Sequence, residues 1–285
     1  MSPVAVSSTA QSPGVIVVQR RASVIPALLT AALLGACHRG PPSTETFVWK
    51  GPVARGEWLR LRNTNGDFTI VEGTGDSAEV RLTITRSRQG APEAQVKVLQ
   101  TSDGVIACVL FGGESRCTPD DYKGGTAWVK GFLPFLGGRT TVSGSVVLPR
   151  GVRLDASSVN GDVSVGSVLS ELIVNTTNGD ITVGASRGAV RVGTTNGDVE
   201  LGIDSVGGSV DVQTTNGDVT ILAARGVSGT LRMQTTNGDL EFGLTGNVTT
   251  RTRRQVAALL GSGGNAIELR TTNGDISVMP RDTTP

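Results

Sequence analysis

Six aspartates, Asp162, Asp180, Asp198, Asp218, Asp239 and Asp275, each close an Asn-Gly-Asp triplet, and successive triplets lie 18, 18, 20, 21 and 36 residues apart. A row of carboxylates at a fixed period could bind Ca²⁺, which favours oxygen ligands. A pair of them could instead serve as acid and base in glycoside hydrolysis. Stacked at roughly 4.8 Å they also repel, by about 0.9 kcal/mol per neighbouring pair in water, so some interaction must offset the repulsion. The simpler reading is that each Asp accepts hydrogen bonds from its own turn's backbone or from a nearby Thr hydroxyl. The nonapeptide pattern of Ca²⁺-binding β-rolls is absent. A catalytic pair would differ from its neighbours, whereas every one of these aspartates has a repeat-driven reason to exist. No metal and no cofactor is expected.

Other residue types fall into columns at the same period. Asn160, Asn178, Asn196, Asn216, Asn237 and Asn273 would stack into a ladder, amide bonded to amide. Thr177, Thr195, Thr215, Thr236 and Thr272 form a rank of the kind that ice-binding solenoids display, but it is a single rank bordered by charged Asp, which argues against that activity. Arg251, Arg253 and Arg254 sit where a repeat has lost its triplet and read as a solvated loop or a binding site for an anionic glycan. Trp128, Phe132, Phe135 and Leu136 lie in an irregular stretch and read as a cap over an open end of the fold, or as a surface that meets lipid or a partner. The single histidine, His38, stands close to the start of the mature chain. The folded body therefore has no imidazole for acid–base work, and no nucleophile elbow, zinc motif or phosphate loop is present. The chain reads as non-enzymatic, with a polysaccharide-active β-helix enzyme as a remote alternative.

These columns need a scaffold of strands. Period-two alternation runs through Leu59-Arg60-Leu61-Arg62, Phe68-Thr69-Ile70, Val80-Arg81-Leu82-Thr83-Ile84 and Val105-Ile106-Ala107-Cys108-Val109. From Val152 onward it becomes regular. In the unit Ala189 to Leu201, Val190, Val192 and Thr194 share one side, Arg191, Gly193 and Thr195 the other, and Val199 and Leu201 return inward after Asn196-Gly197. Asn-Gly serves as punctuation, glycine tolerating positive φ and asparagine visiting the left-handed region. From residue 150 to the end the only aromatic is Phe242, which suits a narrow interior filled by Val, Ile and Leu. A period near 20 signals stacked repeats. The expected fold is all-β, a parallel β-solenoid of about 18–21 residues per coil. The alternative is an antiparallel meander or barrel of hairpins, since Asn-Gly between alternating strands is also a hairpin signal. The solenoid is favoured because equivalent slots repeat residue for residue. If it is right, Val192 lies above Val174 and does not pair antiparallel with Leu201.

The leader indicates where the chain works. Arg20 and Arg21 precede a short apolar stretch, Ala22 to Ala36, which ends Leu34-Gly35-Ala36-Cys37. That is too short for a stable membrane span and fits a secretory signal, and Leu-Gly-Ala-Cys resembles a bacterial lipobox, with Cys37 cleaved to the N-terminus and acylated. The parts are then a signal peptide 1–36, a tether 37–46, N-terminal β coils 47–111, an irregular insertion or cap 112–140, the repeat solenoid 141–280 and a tail 281–285. Cleavage would take Arg20 and Arg21 from the 26 basic residues and none of the 25 acidic ones, for a net charge of −1. Such a balance gives no general steering toward nucleic acid. In an exported chain Cys108 and Cys117 read as one disulfide.

Strand–Thr-Thr-Asn-Gly-Asp–strand repeats behind a lipoprotein leader resemble the "putative adhesin" β-solenoid family of bacterial envelope proteins. The resemblance spans roughly Phe47 to Val278 and includes Val105-Ile106-Ala107-Cys108 and Val146-Val147-Leu148-Pro149. That family is largely a domain of unknown function, and its name implies only binding at a cell surface. The 112–140 insertion and the basic stretch 251–254 do not map onto its pattern. The functional expectation is a membrane-anchored envelope lipoprotein whose rod binds glycan or an envelope protein, on the outer membrane or facing the periplasm. The alternative is a scaffold without a dedicated ligand.

Overall fold

The computed structural model describes residues 42–87, 90–112, 115–118, 121–127 and 138–281. Among them the chain is all-β, with a ten-stranded sheet I facing an eleven-stranded sheet II, and a two-stranded ribbon beside them. One repeat makes one rung: a strand in sheet II, the Asn-Gly-Asp turn, then a strand in sheet I. In the Asn196 rung these strands are Val190–Gly193 and Val199–Ile203, where Val190, Val192, Val199 and Leu201 are buried and Arg191 and Glu200 exposed. Val192 pairs in parallel register with Val174 on one side and Val212 on the other. The repeats are therefore a parallel β-solenoid, and the hairpin meander does not describe them. Its interior is a column of Val, Ile and Leu, each contributing about 1.5–3 kcal/mol by leaving water.

The rungs do not stack in the order in which they are written. Along sheet II the Asn216 rung (Val210–Gln213) pairs with Ala266–Asn273, which pairs in turn with Gly229–Asn237. Sheet I repeats the arrangement, with Ile276–Pro280 between Val219–Ala223 and Leu240–Phe242. The final Asn-Gly-Asp repeat is thus inserted between two earlier ones. The 36-residue gap is not two consecutive coils, because 247–260 leaves the stack as a hairpin. That hairpin, Asn247–Arg251 and Gln255–Leu260, extends sheet II antiparallel beyond Gly229–Asn237.

At the opposite end the Asn65 rung, Trp58–Arg62 and Phe68–Gly73, lies parallel on the Asn160 rung. Beyond it Gly104–Phe111 and Thr140–Pro149 add one further parallel layer. Antiparallel strands close that end: Ala94–Thr101 on sheet II, and Ser77–Arg86 followed by Ser43–Pro52 on sheet I. The N-terminal region is therefore a mixture of coil and antiparallel cap. Ten strands at roughly 4.8 Å make a rod about 45 Å long. Gly104–Phe111, expected to be a half-buried strand, is a continuous apolar run and is buried throughout. Its outer residues Ile106, Cys108 and Leu110 form a second small core with Cys117, Leu99 and Tyr122. A Cys108–Cys117 disulfide and a 2.7 Å hydrogen bond from the Tyr122 hydroxyl to the Val109 carbonyl hold the covering segment there.

Candidate functional site: the repeat turns and a polar groove on sheet II

Each turn residue has an identifiable structural task. The asparagine side chains form a continuous ladder in stacking order. Asn178 donates to Asn160, Asn196 to Asn178, Asn216 to Asn196, Asn273 to Asn216 and Asn237 to Asn273, at 2.8–2.9 Å. The asparagines keep negative φ and bridge to one another as short parallel strands, so the left-handed conformation expected of them is not used. Glycine alone takes positive φ, 151–156° in the Gly161, Gly179, Gly197, Gly217, Gly238 and Gly274 turns.

The aspartate column is held by the next rung. The backbone N–H of Asp180 donates to Oδ1 of Asp162, and the same bond joins Asp198 to Asp180, Asp218 to Asp198, Asp275 to Asp218 and Asp239 to Asp275, at 2.7–2.9 Å. The donor is neither the residue's own turn nor a threonine. The buried threonines Thr176, Thr194, Thr214, Thr271 and Thr235 donate instead to turn-glycine carbonyls of the adjacent rung. Five of the six charges, all but that of Asp239 at the end of the stack, thus lie against an amide dipole, which offsets the repulsion along the row. No group of three or more His, Cys, Asp or Glu is arranged to hold a metal ion among the described residues.

Arg251, Arg253 and Arg254 lie at the tip of the terminal hairpin, exposed and in no ion pair among the described residues. That tip adjoins the last stacked rung: Thr235 N–H donates to the Arg254 carbonyl at 3.2 Å, and Gln255 pairs with Gln234. Cys37, Trp128, Phe132, Phe135 and Leu136 lie outside the described residues, as does the stretch 1–36 expected to be a signal peptide.

A groove with a volume of about 480 Å³ runs along the outer face of sheet II where its strands meet the turns. The register stacks Asn175, Gly193, Gln213, Arg270 and Gln234 into one wall. Thr195, Thr215, Thr272 and Thr236 form the other. Gly193 has no left-handed backbone, and a Cβ there would meet only the Asn175 amide oxygen, at 3.1 Å, and the Gln213 carbonyl oxygen, at 3.9 Å. The missing side chain leaves a gap in the wall between Asn175 and Gln213. Beside the groove Arg270 bonds Glu268 and reaches Asp211 at 3.3 Å, while Arg191 lies 3.9 Å from Asp211. Two cations and two anions balance there, so the groove presents amides and hydroxyls more than net charge. Sequence reasoning passed over this wall because its residues differ from repeat to repeat, as those of the outward slot of Ile173, Arg191, Asp211, Glu268 and Arg232 also do. The signal was present: the residue before each Thr-Thr-Asn-Gly-Asp is Asn, Gly, Gln, Gln or Arg.

The protein-family model described as "Toastrack DUF4097" matches residues 135–279, just over half of the chain. The chain belongs to the Toastrack family. The match starts just before Thr140–Pro149, takes in every rung from Asn160 onward and ends at the inserted one, so the groove lies entirely within the Toastrack segment. No curated protein matches the chain. Among solved structures it is similar to a "putative cell adhesion protein" from Clostridium sporogenes, at 11% identity over 84% of this chain and 100% of that one, with a TM-score of 0.47. It is similar to a "putative adhesin" from Bacteroides fragilis, at 10% identity over 84% and 99%, TM-score 0.37. It is also similar to a "Putative lipid binding protein" from Parabacteroides distasonis, at 9% identity over 85% and 97%, TM-score 0.26.

Proposed function

We propose that this Toastrack protein is a non-enzymatic, adhesin-like binding module of the bacterial cell envelope, and that the groove on sheet II is its binding face. The observation that carries the reading is the groove itself: across five stacked strands one wall presents the amides of Asn175, Gln213 and Gln234 and the guanidinium of Arg270, facing a rank of threonines, and it is broken at Gly193, a glycine that nothing in the backbone requires. A polar trough of this kind suits an elongated ligand that bonds once per rung. The neighbouring carboxylates Asp211 and Glu268 are both held by Arg270, which supports binding over hydrolysis. The Cys108–Cys117 disulfide supports an oxidising location, and the lipobox at Leu34 to Cys37 supports a lipid anchor on a membrane of the envelope. The ligand side is an envelope or foreign-cell glycan or protein, with no role for nucleic acid.

Two variants test the reading in cells expressing the full chain. Cys37→Ala should move the protein from the membrane fraction to the soluble exported fraction and abolish labelling by a fatty-acid analogue. Gly193→Gln, which fills the gap in the groove wall, should reduce binding of the purified protein to whole cells or envelope polysaccharide at least tenfold, with its melting temperature unchanged. Undiminished binding by Gly193→Gln would remove the groove from the account and favour the scaffold alternative.

A further inference from the structure

The groove does not end in open polar surface. Its last rung, Gln234 to Thr236, is hydrogen-bonded into the hairpin turn that carries Arg251, Arg253 and Arg254. A fourth arginine, Arg232, is exposed on the same strand as Gln234, two residues before it. Along the groove the charges cancel within the Arg191–Asp211–Arg270–Glu268 network, whereas at this end the three turn arginines are uncompensated among the described residues. A neutral track thus leads to a cationic terminus.

We infer that the ligand is an extended glycan carrying an acidic group at one end, its hydroxyls laid along the Gln213–Gln234 wall and its carboxylate held by the 251–254 turn. This rests on the groove being the binding face. The rung repeat of roughly 4.8 Å is close to the length of one pyranose in an extended chain, so successive sugars meet successive rungs. Five rungs accommodate four or five sugars, and affinity should rise with chain length to that point and then level off. Hydroxyls bonding to amides give modest binding per unit, and the charged contact at the end adds the larger increment.

The test is calorimetric or NMR titration of the intact exported chain with neutral xylo-oligosaccharides of two to six units, and with the same chains capped by a single glucuronic acid. The capped chains should bind about tenfold more tightly than the neutral ones, and added salt should erase that difference. Arg253→Ala/Arg254→Ala should lose the preference while leaving the weak neutral binding in place, and Gly193→Gln should lose both. Equal affinity for capped and neutral chains, or a preference that survives loss of both arginines, overturns the inference. Failure of every oligosaccharide to bind overturns it too. If Gly193→Gln still abolishes attachment to cells in that case, the groove remains the binding face for another class of ligand.

Discussion

The carboxylate of Asp103 receives both terminal nitrogens of Arg60, at 2.6 and 3.0 Å, and the Thr101 hydroxyl at 3.0 Å. The Arg60 hydrogen bond is the chief reason that its pKa is lowered from 3.8 to about 2. A depressed carboxylate contributes stability above its unfolded value and loses it as pH falls toward the folded one. The melting temperature should therefore decline between pH 4 and pH 2, and Asp103→Asn should flatten that decline while lowering stability slightly above pH 5. The effect is small because the carboxylate is well exposed. At this scale the sequence is partly legible. The periodic aspartates announce a column, and the asparagines a ladder, from spacing alone. The partner of every aspartate in the row except the last, Asp239, is a backbone amide one rung away, and a main-chain donor has no signature in side-chain identity.

The turns show why glycine recurs at the centre of each triplet. At Gly217 the backbone φ is 155°, and a Cβ would lie 1.9 Å from the carbonyl oxygen of Gly197 in the rung below. Close stacking, as much as the dihedral angle, demands the absent side chain. Gly217→Ala should cost about 3 kcal/mol and lower the melting temperature by roughly 6–10 °C, measurable by thermal unfolding. Gly193→Ala, on an outward strand position, should cost well under 1 kcal/mol. Strands and their inward faces were readable from alternation wherever one face meets solvent. They were misread at Gly104–Phe111, whose inner face packs in the main core and whose outer face is covered by a segment held by the Cys108–Cys117 disulfide and Tyr122.

The whole molecule depends on an arrangement that repetition conceals. Because Val, Ile and Leu fill equivalent slots in every rung, each repeat presents nearly the same surface to whichever repeat lies above it, and local sequence does not encode stacking order. The connections decide it, here a hairpin that carries the chain past one level and back. The inserted rung is latched at its far end. Arg281 pairs with Asp204 at 2.8 Å and bonds the Gly184 carbonyl, spanning two neighbouring strands of sheet I, and its N–H donates to the Ala223 carbonyl at 2.7 Å. Arg281→Ala should cost about 1 kcal/mol. Amide hydrogen exchange in Ile276–Pro280 should accelerate, with Ile181–Val183 unaffected. Equal protection across both segments in the variant would show that the latch is idle.

A ribosome cannot lay such a molecule down floor by floor. The storey supplied by residues 266–280 is synthesised after the one that must rest upon it, so an emerging polypeptide holds a vacancy between Val210–Ala223 and Gly229–Phe242 until its tail arrives. A product broken off before Ala266 would lose an internal floor and not a roof. Completion of the tower is therefore deferred until residues 266–280 have emerged, whatever the order in which the other floors settle.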